Sequence, residues 1–562
     1  MDDVDAVQAQ IARNMLESGD WVIARLDGVI YLEKSPLIYW LMASSFKVLG
    51  PYDWVARLPV ALSSIGLAWL TMGFGVWAFG RRAGFYAGMV IATCVGLFLF
   101  TRIQIPDVML TFTIALAMWS FLRVLEEEER RPRLWAFLLA ASLGLGLLLK
   151  SLIALVFPIG AALLYLILTG QLFSRRTWQR LRPFSGTLIA LMIAAPWHIL
   201  AIVRTPPPYL DFTMVSLPGQ YHGFFWFYFI NEQLLRFLNL RYPRDYDTVP
   251  LVYFWLFHLL WLFPWTVYLP AVFKLSYRAK DRAGRTRLLA VCWIGVVLIF
   301  FSFSTTQEYY SMPCYPAFAL LIGSAMTLEN GWLRRGTRAL AIIAGCAAVT
   351  AFSIVFLVWN RPTPGDIATA LSSHPQAYTL SLGHIEDLTL SSFAYLRTPL
   401  LLAAIAFLIG STGAIVLRRR RAFWAIAMMM VVFFQAARLA LAVFDPYLSS
   451  RPIADALLKS PAGRLVIDHH YYTFSSVFFY SSRRALLLNG KVNNLVYGAA
   501  APGAPPVFID DAEFAKLWTE PQRWYLVAKD STWPRFEKLV GKGSMDVVLH
   551  IGGKFLMTNH PF

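Results

Sequence analysis

Apolar runs long enough to form membrane-crossing helices recur from residue 55 to residue 443, separated by short polar connections. A helix needs about 20 apolar residues to cross a hydrocarbon core of roughly 30 Å. The pattern predicts about twelve spans, at 55–79, 84–103, 108–124, 134–149, 152–169, 184–203, 250–273, 288–304, 313–328, 338–359, 399–417 and 422–443. Ahead of them lies a mostly polar stretch. Its residues Val4, Val7, Ile11 and Met15 recur at helical spacing and predict an amphipathic interfacial helix stopped by Gly19. Asp27-Gly28 is a turn signal, and 37–50, rich in aromatics, predicts a second interfacial helix. After Asp445 the period changes. Strand-like runs at 464–468, 484–488, 524–528 and 545–549, with helical stretches at 453–458 and 512–517 between them, predict a small α/β domain.

The expected fold is therefore an all-α polytopic membrane protein with interfacial helices and a small C-terminal extracytoplasmic α/β domain. Its units are residues 1–53, the transmembrane part 54–443 with a large loop at 204–249, and the tail 444–562. Composition agrees: 57% of the 562 residues are hydrophobic and 15% charged. The net charge of +17 would suit a nucleic-acid surface, but the bases fall in short loops between apolar runs. That distribution is a topology signal and excludes nucleic acid as the partner. The four cysteines, Cys94, Cys292, Cys314 and Cys346, lie in or beside apolar runs without metal-ligand spacing.

Arg81-Arg82, then Arg130, Arg131 and Arg133, then Arg175 to Arg182, mark every second connection, and the pattern continues through Lys274 to Arg287, Arg334 to Arg338 and Arg418 to Arg421. The positive-inside rule places these loops in the cytoplasm. It places residue 1, the 204–249 and 360–398 loops and the tail outside. An external start with no preceding span implies a further transmembrane helix upstream. The expected location is a bacterial inner (plasma) membrane, multi-pass, with the active site on the periplasmic side.

Polar residues gather at that external side. Asp2, Asp3, Asp5, Glu33, Lys34, Arg102, Asp107, Lys150, Glu232, Arg236 and Glu308 all map to it. Any one could be a helix cap or a snorkelling side chain, but a converging set near hydrocarbon is costly unless functional. Asp3 or Asp5 would accept a proton from an attacking hydroxyl or position the acceptor, with Asp107 as an opposing acid. Lys34 suits a phosphate as a point charge, with Arg236 and Arg102 as further phosphate-binding candidates. Glu33 either pairs with Lys34 or, with Glu232, offers oxygens to a divalent metal ion, the one cofactor expected. Phe224 to Phe229 form an aromatic cover beside Glu232 and Arg236.

Arg13-Asn-Met15-Leu16-Glu-Ser-Gly-Asp-Trp21, followed by Gly28, Tyr31-Leu-Glu33-Lys34-Ser-Pro36 and Tyr39-Trp40, resembles the signature of bacterial polyprenyl-phosphate-sugar glycosyltransferases, the aminoarabinose-transferase and protein-mannosyltransferase-like enzymes of the clan C fold. The resemblance covers residues 2–443. It implies inverting transfer of a sugar from an undecaprenyl-phosphate-type donor to an envelope lipid, glycan or protein on the extracytoplasmic face. Lys34 would contact the donor phosphate, Glu33 would contribute to a metal site, and an acid of the first external loop would be catalytic. The family's Asp-Glu pair falls on Val4-Asp5, which leaves Asp3 and Asp5 as the catalytic candidates. Its Glu-His in the large loop appears as Glu232-Gln233. The alternative from another class is a transporter or flippase of lipid-linked sugars, which would need broken helices and charges near the bilayer midplane. The sequence predicts neither. A purely structural membrane protein would leave the acid cluster unexplained.

Overall fold

The computed structural model describes residues 1–244, 248–328, 331–372, 381–417 and 419–561. Arg418, one of the basic loop positions, lies outside them. Among the described residues eight helices are long and apolar enough to cross a membrane: Asp53–Phe79, Asp107–Leu125, Pro132–Lys150, Arg175–Arg204, Arg282–Ser302, Gly331–Val358, Arg397–Val416 and Arg420–Val443. The protein is a polytopic membrane protein. The Asp107–Leu125 helix is the central one, with 72% of its apolar window buried against 22–50% for the others.

The remaining four predicted spans differ from continuous helices. The 152–169 run forms the 16-residue helix Ile153–Leu168, and 313–328 forms Tyr315–Ala325 after a 3₁₀ turn at Glu308–Cys314. The 84–103 run is interrupted between Arg81–Ala92 and Val95–Phe100. The 250–273 run bends by 91° between Leu251–Trp261 and Trp265–Val272. Two spans are thus broken where continuity was expected.

The two breaks close on each other. The Val95 amide donates to the Phe263 carbonyl at 3.0 Å, and Trp265 Nε1 donates to Thr93 Oγ1 at 3.0 Å. A backbone group at membrane depth must find a partner within the protein, and here each gap supplies the other's. Gly96 permits the approach, since a Cβ there would meet Trp261 Cβ at 2.7 Å. No charged residue stands in either gap, 93–94 or 262–264.

The N-terminal segment folds as its pattern predicts. Asp3–Ser18 is a helix N-capped by the Asp2 side chain and ended by Gly19 at φ 72°. A two-residue hairpin follows, β1 (Arg25–Leu26) and β2 (Val29–Ile30), turning on Asp27 and Gly28, both at positive φ. Leu37–Leu49 is the second short helix.

The tail carries a six-stranded sheet of β3 (Arg464–Asp468), β4 (Leu486–Leu488), β5 (Phe508–Ile509), β6 (Trp524–Lys529), β7 (Asp546–Ile551) and β8 (Lys554–Thr558), in the order β5-β4-β3-β6-β8-β7. Its first four members in that order are parallel, and β8 pairs antiparallel with β6 and β7. Asp3 anchors the tail to the N-terminal helix. Its carboxylate, 5% exposed, accepts from Lys554 Nζ at 2.8 Å, Ser450 Oγ at 2.8 Å, and Ser476 Oγ and N at 2.6 and 2.9 Å. Arg13 Nη1 donates to the Phe479 carbonyl at 2.7 Å nearby.

Removing one partner of a buried ion pair strands the other charge at a cost of about 3–5 kcal/mol, whereas removing both is often neutral. Lys554→Met should therefore lower the unfolding temperature sharply, and adding Asp3→Asn should restore most of it. Thermal unfolding followed by tryptophan fluorescence checks this, and two additive losses would count against the anchor.

Candidate active site

The charged residues of the N-terminal turn, the first connection between spans and the large loop meet around one cavity of about 380 Å³. Glu33 and Lys34 reach it from the turn after β2. Asp107 stands at the N-terminus of the central helix. Lys150 comes from the last turn of Pro132–Lys150. Glu232 and Arg236 come from the large loop, where Trp226–Leu235 winds as a π-helix, a form that recurs at functional sites.

The charges are interlocked. Lys34 pairs with Glu33 at 2.5 Å and Lys150 with Asp107 at 2.5 Å, while Lys150 Nζ sits 4.7 Å from the Tyr310 ring centre. Arg236 donates to Glu232 at 2.7 Å and to the Tyr310 hydroxyl at 3.1 Å. Arg241, its side chain fully buried, takes the other Glu232 oxygen. Asn231 pins the loop so that this can happen, bonding both the carbonyl and the amide of Tyr242. Burial alone would favour a protonated Glu33, but Lys34, Arg241 and Arg236 overcome it and hold its pKa down at about 2. Lys34 is raised: burial opposes its charge, and Glu33 overrides it. The pocket thus presents three cations, Lys34, Lys150 and Arg236, at one end of an apolar groove. Leu152, Val156 and Leu234 line that groove and are 39–41% exposed on the outer surface.

Three of the sequence-predicted residues stand elsewhere. Asp3 is sealed beneath the tail by Lys554 and two serines, which corrects its expected catalytic place. Asp5 lies one layer behind the cavity wall, where it accepts from the Gln104 amide at 2.7 Å and pairs with Arg57 at 2.5 Å. Burial and the Asp2 carboxylate push it up to about 7, against Arg57 and the Gln104 amide. It braces the Arg102–Asp107 connection from behind. Arg102 is partly exposed, and its carbonyl accepts from Arg57; it does not line the cavity.

The expected metal ligands, Glu33 and Glu232, spend their oxygens on cations and hydrogen-bond donors. Among the described residues no group of three His, Cys, Asp or Glu side chains converges as a metal site. This donor set fits an anion better than a divalent cation.

Arg241 and Tyr310 were not singled out from the sequence, although Tyr310 lies two residues after Glu308, one of the polar residues placed on the external side. A second cavity of about 260 Å³ lies at the opposite end of the central helix. There Arg176, Arg282 and Arg285 pair with Glu126 and Glu127, and Arg180 donates to the Leu125 and Glu127 carbonyls. This network ties the basic connections together.

Comparison with known proteins places this geometry in context. The profile of the dolichyl-phosphate-mannose-protein mannosyltransferase family matches residues 33–200. The chain is 28% identical to the undecaprenyl phosphate-alpha-4-amino-4-deoxy-L-arabinose arabinosyl transferase of Aeromonas salmonicida over 383 residues, 65% of this chain and 64% of that protein. It is 23% identical to the protein of the same name from Edwardsiella ictaluri over 98% of this chain and 93% of that one. The crystal structure of ArnT from Cupriavidus metallidurans bound to undecaprenyl phosphate superposes with a TM-score of 0.79, at 22% identity, over 99% of this chain and 93% of that one. The fold is the one expected from the sequence.

Glu33, held below its unfolded value of 4.5, contributes stability that is present above about pH 4.5 and lost as the pH falls towards 2. Comparing unfolding midpoints of wild type and Glu33→Gln across pH 2–7 should give a gap that is constant above pH 5 and closes below it. A gap that widens in acid would reverse the assignment.

Proposed function

We propose that the protein is a membrane glycosyltransferase that moves a sugar from a polyprenyl (undecaprenyl) phosphate donor to an envelope lipid, glycan or protein, with inversion, on the extracytoplasmic face. The observation that carries this reading is the junction of three cations with an apolar groove open to the lipid side. A phosphomonoester on a long prenyl chain has that shape and charge. The names of the relatives, which include undecaprenyl phosphate as the sugar carrier, agree with it.

In this reading the donor phosphate sits among Lys34, Lys150 and Arg236, and the prenyl chain lies along Leu152, Val156 and Leu234. The acceptor's nucleophilic atom attacks the anomeric carbon from the face away from the phosphate. The bond from that carbon to the phosphate oxygen breaks as the new glycosidic bond forms. Negative charge grows on the leaving phosphate, and three preset cations in a partly desolvated cavity stabilise it most at that moment. Asp107 is the acid of the predicted catalytic set that lines the cavity, and it takes the acceptor's proton. Asp5 holds the Gln104 amide and so keeps Asp107 in place.

The transporter reading is weaker. Its broken helices exist, but their gaps carry no charged residue and are tied to each other by the Val95–Phe263 and Trp265–Thr93 hydrogen bonds, which favours a packing role for them. The arginine-rich connections at the opposite end of the central helix fit the cytoplasmic side, which supports a site that faces outward.

Reconstituted protein, a radiolabelled polyprenyl-phosphate sugar and envelope extract test this. Lys34→Ala and Arg236→Ala should each cut transfer by about 10²–10³, the scale of losing one preset electrostatic contact. Asp107→Asn should fall at least as far, and Asp5→Asn less. Transfer that survives in Lys34→Ala and Arg236→Ala, with normal folding, would sink the site. The labelled product identifies the acceptor.

A further inference from the structure

The two halves of the anion pocket come from distant parts of the chain, and a tail side chain joins them. Asn494 opens the Asn494–Ala499 helix and is 8% exposed. Its Nδ2 donates to Glu33 Oε2 and, at 3.1 Å, to the Tyr472 hydroxyl. Its Oδ1 accepts from Arg241 Nη2 at 2.7 Å. Glu33 holds Lys34, and Arg241 holds Glu232, which holds Arg236. The order is a chain of alternating charge, Lys34–Glu33, then the neutral amide, then Arg241–Glu232–Arg236.

We propose that Asn494 is a positioning residue that fixes Lys34 and Arg236 at the spacing a donor phosphate requires, so that the tail is an integral part of the active site. This rests on the reading of the pocket as a donor-phosphate site.

The chemistry of the link selects this residue type. One side must donate to a carboxylate and the other must accept from a guanidinium, and a primary amide does both at once. A carboxylate at this place would repel Glu33, and an ammonium would repel Arg241. Without the amide Glu33 keeps Lys34 and Arg241 keeps Glu232, but the hydrogen bonds that join the two halves to each other are lost. The docking around it holds Asn494 at this depth. The Tyr497 hydroxyl donates to the Gly223 carbonyl at 3.0 Å and accepts from the His222 amide at 2.9 Å, and Gly498 packs against the Ile30 carbonyl, where a side chain would collide.

The test uses the full chain in lipid nanodiscs, with undecaprenyl phosphate as the probe. Asn494→Ala should weaken its binding at least tenfold, and Asn494→Asp, which keeps the shape and serves if the alanine variant does not fold, should weaken it further. In a Glu33→Gln background the additional effect of Asn494→Ala should shrink to under twofold, because the bridge between the two halves has already lost its ionic end at Glu33. Binding within twofold of wild type in both single variants overturns the proposal, as does an equal loss in the Glu33→Gln background, which marks a merely structural role. A wild type that fails to bind undecaprenyl phosphate overturns the functional reading instead. The Glu33/Asn494 cycle is then read in thermal stability, where additivity overturns the link and non-additivity upholds it.

Discussion

Charge held next to hydrocarbon has to be matched within the protein, and this constraint organises the molecule. Five buried acids at this end of the bundle each stand against a cation: Asp3 with Lys554, Asp5 with Arg57, Asp107 with Lys150, Glu33 with Lys34, and Glu232 with two arginines. The first two pairs join segments, and the last three surround a cavity. The same rule governs the uncharged backbone, since the interrupted spans at 93–94 and 262–264 satisfy each other.

The cavity differs from the Asp3–Lys554 anchor in accessibility rather than in chemistry. Asp3 and Lys554 are both at or below 6% exposure and closed off. In the pocket, Lys34, Lys150 and Arg236 keep 20–28% of their side chains exposed while remaining tethered. A phosphate arriving there meets cations already desolvated on one side and already fixed in direction, so little reorganisation is left for the reaction to supply.

Much of this was legible in sequence, and the rest was not for definite reasons. Long apolar runs reveal spans because length and hydropathy are local properties, and the Gly19 stop and the Asp27-Gly28 turn are local as well. The breaks were missed because Thr93-Cys94 looks no different from the middle of a helix until Phe263 is beside it; Pro264 was the available signal. In the tail β3, β4, β6 and β7 were foreseen within two residues, while the two-residue β5 and the strand β8, which carries Lys554, were not. Glu33-Lys34 and Glu232…Arg236 sit in compact motifs and were found. Asp3, Asp5 and Asp107 look alike as carboxylates, and only partners as remote as Ser450 and Lys554 separate the anchor from the acid that lines the cavity. Asn494 was not singled out, since a neutral amide in the Lys491-Val492-Asn493-Asn494 turn looks like any loop residue until Glu33 and Arg241 are beside it.

Glu33 and Asn494 stand 461 positions apart in the chain. At a synthesis rate of about 5–20 residues per second, roughly half a minute to a minute and a half separates their emergence. Through that interval the helical bundle can insert and pack, yet the polar ring stays open. In the proposed reading the phosphate pocket is therefore completed late, once the tail sheet has formed, and a nascent chain would occupy the membrane without consuming a lipid-linked donor.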